Sequence, residues 1–205
     1  MVRERTSNRV FPDAYLIAPP PGDDPLLPNH HFPAVQPLEV DVGCGRGRFL
    51  IARARRHPGT NFLGIDQFLL RLRKIDRKAV QENLTNVRLI KGNALPMLGR
   101  LPEGSISACY VFFPDPWPKR RHHRRRLVSR AFADLMIAKL SPRGRLHLCT
   151  DHPEYFAAMM AVMEPDCRFK NIPPFVPTDE EETDFGLLFR REHLTIHRCS
   201  FEKDG

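Results

Sequence analysis

Leu38-Glu39-Val40-Asp41-Val42-Gly43-Cys44-Gly45-Arg46-Gly47 is the stretch on which the fold of this 205-residue chain turns. Leu38 to Val42 reads as a short strand. The alternate glycines that follow read as a tight turn into a helix, where glycine's freedom lets a ligand approach the backbone closely. That helix is expected from Phe49 to Arg56, ended at His57-Pro58-Gly59. A dinucleotide fingerprint would place its glycines at positions one, three and six. Here they lie at one, three and five, with Arg48 at six. The acid two residues before the first glycine, Asp41, would face a pyrophosphate badly but would welcome a cationic amino-acid group.

Outward from this turn the chain alternates. Strands are predicted at Asn61–Ile65, Val87–Ile90, Ile106–Phe113 and Arg145–Thr150. Helices are predicted at Leu69–Asn83, around Ala94–Leu98, at Arg125–Leu140 and at Pro153–Met163. Such alternation implies an α/β fold with a mostly parallel sheet covered by helices on both faces. Leu194–Phe201 alternates like a late strand, expected antiparallel at the sheet edge. Residues 1–37 hold eight prolines among small and polar residues, and read as an extended, mobile lead-in. Residues 38–205 then form one domain.

Two more strand ends carry candidate ligands. Asp66 follows the second strand, 23 residues after Gly43, where a carboxylate can accept both ribose hydroxyls of an adenosine. Asn93 follows the third strand, where an amide can hydrogen-bond the adenine edge. Asp41, Gly43, Gly45, Asp66 and Asn93 together suit S-adenosylmethionine, with its ammonium and sulfonium, better than a nicotinamide cofactor.

The fourth strand delivers the chain into Phe113-Pro114-Asp115-Pro116-Trp117-Pro118-Lys119. Three prolines forbid helix and ladder pairing there. The protein's one tryptophan lies in this stretch, and six of the eight residues after Pro118 are Lys or Arg. A stiff loop with an acid, a flat ring and a cationic cluster suits a nucleobase on a phosphate backbone. Arg120, Arg121, Arg124, Arg125 and Arg126 are expected to meet phosphates. Trp117 either stacks on a base or pins the loop to the core.

The bulk numbers agree with a nucleic-acid partner. Formal net charge is +8 and the isoelectric point about 9.6, with the positive charge clustered and mostly arginine. Five scattered cysteines, odd in number and without a CxxC pair, predict reduced thiols in the cytoplasm and no zinc site. His193 and His197 are four apart but lack a third ligand. Mean hydropathy is −0.39, and no apolar run approaches a membrane span or a secretory signal. The sequence gives no sign of an obligatory protein partner.

The glycine turn followed by FFPDPWPKRRHHRRR resembles the bacterial tRNA (guanine-N7)-methyltransferase family, over roughly residues 38 to 203, with Pro114-Asp115-Pro116-Trp117 its most specific motif. The resemblance implies a class I methyltransferase fold with a seven-stranded, Rossmann-like sheet. It implies S-adenosyl-L-methionine as methyl donor, and as substrate a guanine in the tRNA variable loop, at position 46. Cofactor contacts would then fall on Asp41, Asp66, Asn93 and Asp115, with Asn93 standing where the family often has aspartate. Lys119, Asp151 and Thr183 would fall on substrate positions. The family's T-x-x-E motif aligns with Thr183-Asp184-Phe185-Gly186, so its glutamate has become glycine. Either Glu182 or Asp184 supplies a substitute carboxylate, or the run is a solvated acidic loop.

Asp115 has three possible duties: contacting the cofactor, stabilising charge on the ring, or gripping the guanine. An adenine or cytosine amino-methyltransferase would want an (Asp/Asn)-Pro-Pro-(Tyr/Phe) loop, and this chain has Asp-Pro-Trp. A non-catalytic RNA-binding protein on the same scaffold is the other reading, kept open by Gly186 and Asn93. A small-molecule methyltransferase leaves the arginines unexplained.

Overall fold

The computed structural model describes residues 13–204. In chain order the elements are β1 (Leu16–Ile17), β2 (Leu38–Val42), α1 (Arg48–Arg56), β3 (Asn61–Asp66), α2 (Leu69–Gln81), β4 (Val87–Lys91) and α3 (Ala94–Gly99). There follow β5 (Ile106–Phe112), α4 (Arg130–Lys139), β6 (Leu140–Thr150), α5 (Pro153–Met163), β7 (Phe169–Ile172), α6 (Asp184–Arg191) and β8 (His197–Lys203). They build one sheet in the order β1-β4-β3-β2-β5-β6-β8-β7. The first six strands in that order run parallel. β8 is antiparallel to both β6 and β7.

Helix patterning explains the layers. In α2, Leu72, Ile75 and Ala79 recur at helical spacing and are buried. They meet Leu50, Ile51 and Ala54 of α1 over Phe62 and Leu89 of the sheet. On the other face Leu98, Phe132, Met136, Tyr155 and Met159 from α3, α4 and α5 pack on Val40, Val42, Cys109, Val111 and Leu148. Local signals set the helix starts. The Ser129 hydroxyl accepts the Phe132 N–H to cap α4. Pro153, which has no N–H to lose, opens α5.

The sheet has eight strands, not seven, because the lead-in adds one. Residues 13–37 are anchored rather than loose: β1 pairs with β4, and Ile17, Leu26 and Phe32 are buried. The Tyr15 N–H donates to Asp76 Oδ1 at 2.6 Å, and the Leu26 N–H to the Arg100 carbonyl at 2.8 Å. The Arg88 guanidinium lies 4.8 Å from the Tyr15 ring and 4.9 Å from that of Phe32. The apolar residues of this segment follow no period, so pattern reading has nothing to seize. The remainder of the lead-in, residues 1–12, lies outside the described residues. At the other edge β7 lies outside β8, so the antiparallel strand is second from the edge. The expected helix from Arg125 begins only at Arg130. The run Arg120–Arg125 is a 3₁₀ turn, as suits six consecutive cationic or imidazole side chains that would repel one another on an α-helix. No helix among the described residues is long and apolar enough to cross a membrane.

Candidate active site at the carboxyl end of the sheet

Strand order reverses between β2 and β5, and in open α/β sheets such a switch point opens a crevice beyond the carboxyl ends of the strands. The ends of β2, β3, β4 and β5 bring Asp41, Asp66, Asn93 and Asp115 to that rim.

The turn after β2 is held against β3. The N–H groups of Gly43 and Cys44 both donate to the Ile65 carbonyl, at 2.8 and 3.1 Å. Gly45 and Gly47 have φ of 56° and 73°, a region that side-chain-bearing residues rarely adopt. A Cβ at Gly47 would also come within 2.6 Å of Ile75. Asp66 fixes the turn from below: Oδ2 accepts the Gly45 N–H at 2.9 Å and Oδ1 the Phe68 N–H at 2.8 Å. A carboxylate has about four lone-pair positions, so capacity for vicinal hydroxyls remains.

Asp41 is 5% exposed, and no side-chain hydrogen bond to it is formed among the described residues. Burial, and then the neighbouring Asp66 charge, push its pKa up to about 7. A cation brought beside it would favour its ionised form. Burial followed by the same two acids raises the Cys44 thiol well above its ordinary value, which removes it as a nucleophile. Asn93 occupies the N-cap position of α3 yet makes no capping bond. Its amide is exposed and free to meet a ligand.

The loop after β5 is stiff and strained. Phe113 and Trp117, two bulky residues flanking Asp115, have φ of 52° and 44°. Outliers of this kind cost about 1–3 kcal/mol each and cluster at functional sites. The Phe113 N–H donates to the Cys149 carbonyl at 2.9 Å. Arg126 ties the far end: Nε donates to the Pro116 carbonyl at 2.8 Å, another nitrogen meets Glu154 at 3.1 Å, and the guanidinium covers the Tyr155 ring. Arg126 is therefore a buried strut, which corrects its expected phosphate role. Arg125 lies 4.9 Å over the Trp117 ring and His122 meets that ring's edge, so Trp117 is clamped within the cationic segment. Asp115, Lys119, Arg120, Arg121 and Arg124 remain exposed. Asp151 lies two residues beyond Cys149, the register partner of Phe112, and so beside the start of the same loop.

Within the acidic run Glu181 and Glu182 are buried, whereas Asp179, Glu180 and Asp184 are exposed. Arg48, at the place a dinucleotide fingerprint gives to glycine, donates from Nε to the Glu182 carbonyl at 2.9 Å. Arg53 of the same helix meets Glu181 at 3.3 Å. Thr183 caps α6, its hydroxyl accepting the Gly186 N–H at 2.9 Å. The Glu182 carboxylate is 1% exposed and held by Arg190 at 2.8 Å and Arg198 at 3.2 Å. It also accepts the Thr183 N–H at 3.0 Å. A Cβ on Gly186 would overlap that carboxylate. Glu182 is thus sealed in, and of the two acids expected as substitutes Asp184 is the exposed one. From α6 the Phe189 and Phe185 rings reach Phe113, at 5.3 and 6.1 Å between centroids, so this helix borders the Asp115 loop. Sequence reading placed no helix here, although Thr183 followed by Phe185, Leu188 and Phe189 carries a cap and an i, i+3, i+4 stripe. Of the paired histidines, His193 follows α6, whereas His197 opens β8 and stacks on Phe156. Among the described residues no three His, Cys, Asp or Glu side chains are grouped to hold a metal.

A family model described as "Putative methyltransferase" matches residues 35–195. Curated proteins named tRNA (guanine-N(7)-)-methyltransferase are similar to this chain. That of Chromohalobacter salexigens is 39% identical over 150 residues, covering 70% of this chain and 61% of its own length. That of Alkalilimnicola ehrlichii is 34% identical, covering 82% and 71%. That of Rubrobacter xylanophilus is 38% identical, covering 80% and 75%. The chain thus spans about three fifths of the Chromohalobacter protein. Among solved structures, the 16S rRNA methyltransferase KamB superposes with a TM-score of 0.62 at 16% identity, covering 86% of this chain and 91% of that one. An rRNA methylase from Streptococcus thermophilus gives 0.56 at 17%, covering 83% and 88%. These two share the class I methyltransferase fold. Matched over most of its length by the family model and by relatives above 30% identity, the chain belongs to the bacterial tRNA (guanine-N7)-methyltransferase family.

Proposed function

We propose that the protein transfers the methyl group of S-adenosylmethionine to N7 of a guanine in tRNA, at variable-loop position 46. The observation that carries this reading is Asp115. It is an exposed carboxylate on a loop strained at Phe113 and Trp117, between the glycine turn and the cationic segment. The residues fit the donor. Buried, unpaired Asp41 suits its ammonium, Asp66 its ribose hydroxyls and the free Asn93 amide its adenine.

When bound, S-adenosylmethionine supplies an electrophilic methyl on a sulfonium. Guanine N7 carries an in-plane lone pair and no proton, so no side chain need act as a general base. The protein's task is alignment of N7, methyl and sulfur in a sheltered cleft. Positive charge then grows on the purine ring, and the Asp115 carboxylate stabilises it there. Lys119, Arg120, Arg121 and Arg124 hold phosphates, with Asp151 and Thr183 lining the base's side of the cleft.

The test is incubation with labelled S-adenosylmethionine and unmodified tRNA, followed by nuclease digestion and mass mapping. The expected product is 7-methylguanosine at that one position. Cofactor binding without incorporation into any tRNA would favour a non-catalytic RNA-binding protein, and label on an exocyclic amine would favour an amino-methyltransferase.

A further inference from the structure

Phe185 is 57% exposed although it lies in the first turn of α6. Single exposed apolar residues are ordinary. Here three independent constraints hold this one in place. Thr183 caps the turn on the Gly186 N–H. Glu182, fixed by Arg190 and Arg198, fills the space where a side chain at position 186 would stand. The Phe185 ring stacks on Phe189, 5.9 Å between centroids and 18° from parallel. Both rings abut Phe113, two residues before Asp115. The result is an aromatic surface fixed against the start of the Asp115 loop, whose chain runs on into the exposed cations Lys119, Arg120, Arg121 and Arg124. Bases drawn out of an RNA fold are received on aromatic side chains of this kind, with cations on the adjoining phosphates.

We infer that Phe185 is the stacking platform for the guanine being methylated, an inference that rests on the function proposed above. Its ring sets the plane of the purine and the Asp115 loop sets the edge that faces the methyl donor. Phe185 therefore acts on the rate of transfer more than on the capture of tRNA, which the arginines govern.

The experiment compares Phe185→Ala, Phe185→Leu and Phe185→Trp in the full chain. It measures single-turnover methylation of a tRNA transcript alongside binding of S-adenosylhomocysteine. Ala and Leu should both slow transfer by about 10- to 100-fold, and Trp should stay within about threefold of the parent. The S-adenosylhomocysteine dissociation constant should not move. Leu performing as well as Trp would mean that Phe185 merely fills space, and an unaffected Ala variant would remove it from the site; either overturns the inference while leaving the function intact. Failure of the parent protein to form 7-methylguanosine on any tRNA would overturn the functional reading, and this inference with it.

Discussion

The proposed pairing of Asp41 with the donor's ammonium makes cofactor binding a matter of pH. The folded value of Asp41, about 7, stands above the ordinary 3.8, so between about pH 4 and 7 the native state keeps a proton that the unfolded chain has shed. This group's contribution to stability is full below pH 4, falls as pH rises through 7 and is constant above. A cationic group beside Asp41 favours the ionised form, so binding below pH 7 must expel that proton. Affinity for S-adenosylmethionine should rise by up to about tenfold per unit toward pH 7 and then level. Calorimetry from about pH 5.5 to 8 checks this: Asp41→Asn should weaken binding and flatten the profile, and a flat parent profile would refute the pairing. Gly186 and Glu182 form the second residue-scale case. Gly186→Ala forces a methyl into the Glu182 carboxylate, an overpacking worth about 1–3 kcal/mol. For a chain of this length that lowers the melting temperature by about 2–4 °C per kcal/mol. The loss should shrink in a Glu182→Ala background, where the obstruction is gone; equal losses in both backgrounds would deny the overlap.

The Asp115 loop works as an element because both of its ends are tied. Phe113 is bonded to β6, and Pro116 to Arg126, which is in turn held by Glu154 and Tyr155. Arg126→Ala should release the far end and misplace the carboxylate. Turnover should fall about 10- to 100-fold with S-adenosylhomocysteine binding unchanged, and unaltered turnover would show that the strut is dispensable. The cationic run alone reads as one uniform patch, and only packing separates buried Arg126, which ties the loop, from Arg120, Arg121, Arg124 and Arg125, which are exposed, Arg125 while lying over Trp117. The inner β-strands were legible for a different reason: runs such as Phe62 to Ile65 and Ala108 to Val111 are apolar and end in turns. The position of Asp41, Asp66, Asn93 and Asp115 at the carboxyl ends of strands was legible because each lies at or just after the end of a readable strand. α6 was hidden by the acidic run before it and by Gly186, a poor helix former. β1 and β7 escaped because two and four residues are too short to show a period.

At the scale of the whole molecule the surplus of positive charge is +8, and the exposed cations Lys119, Arg120, Arg121 and Arg124 follow directly on the Asp115 loop. Replacing Arg120, Arg121 and Arg124 by alanine should weaken tRNA binding. It should also make the plot of log affinity against log salt less steep, by about 0.7–0.9 for each phosphate no longer neutralised. Filter binding across a salt series measures this, and an unchanged slope would reduce these arginines to a solvated face. The proposed function turns on one carboxylate, so the most direct test compares the parent protein with Asp115→Asn on unmodified tRNA. Single-turnover formation of 7-methylguanosine and the dissociation constant for S-adenosylhomocysteine are measured side by side. The rate should drop by about 100-fold or more while the dissociation constant changes little. Equal losses in both would make Asp115 a cofactor-binding residue, and an unchanged rate would contradict its assignment to the reacting centre.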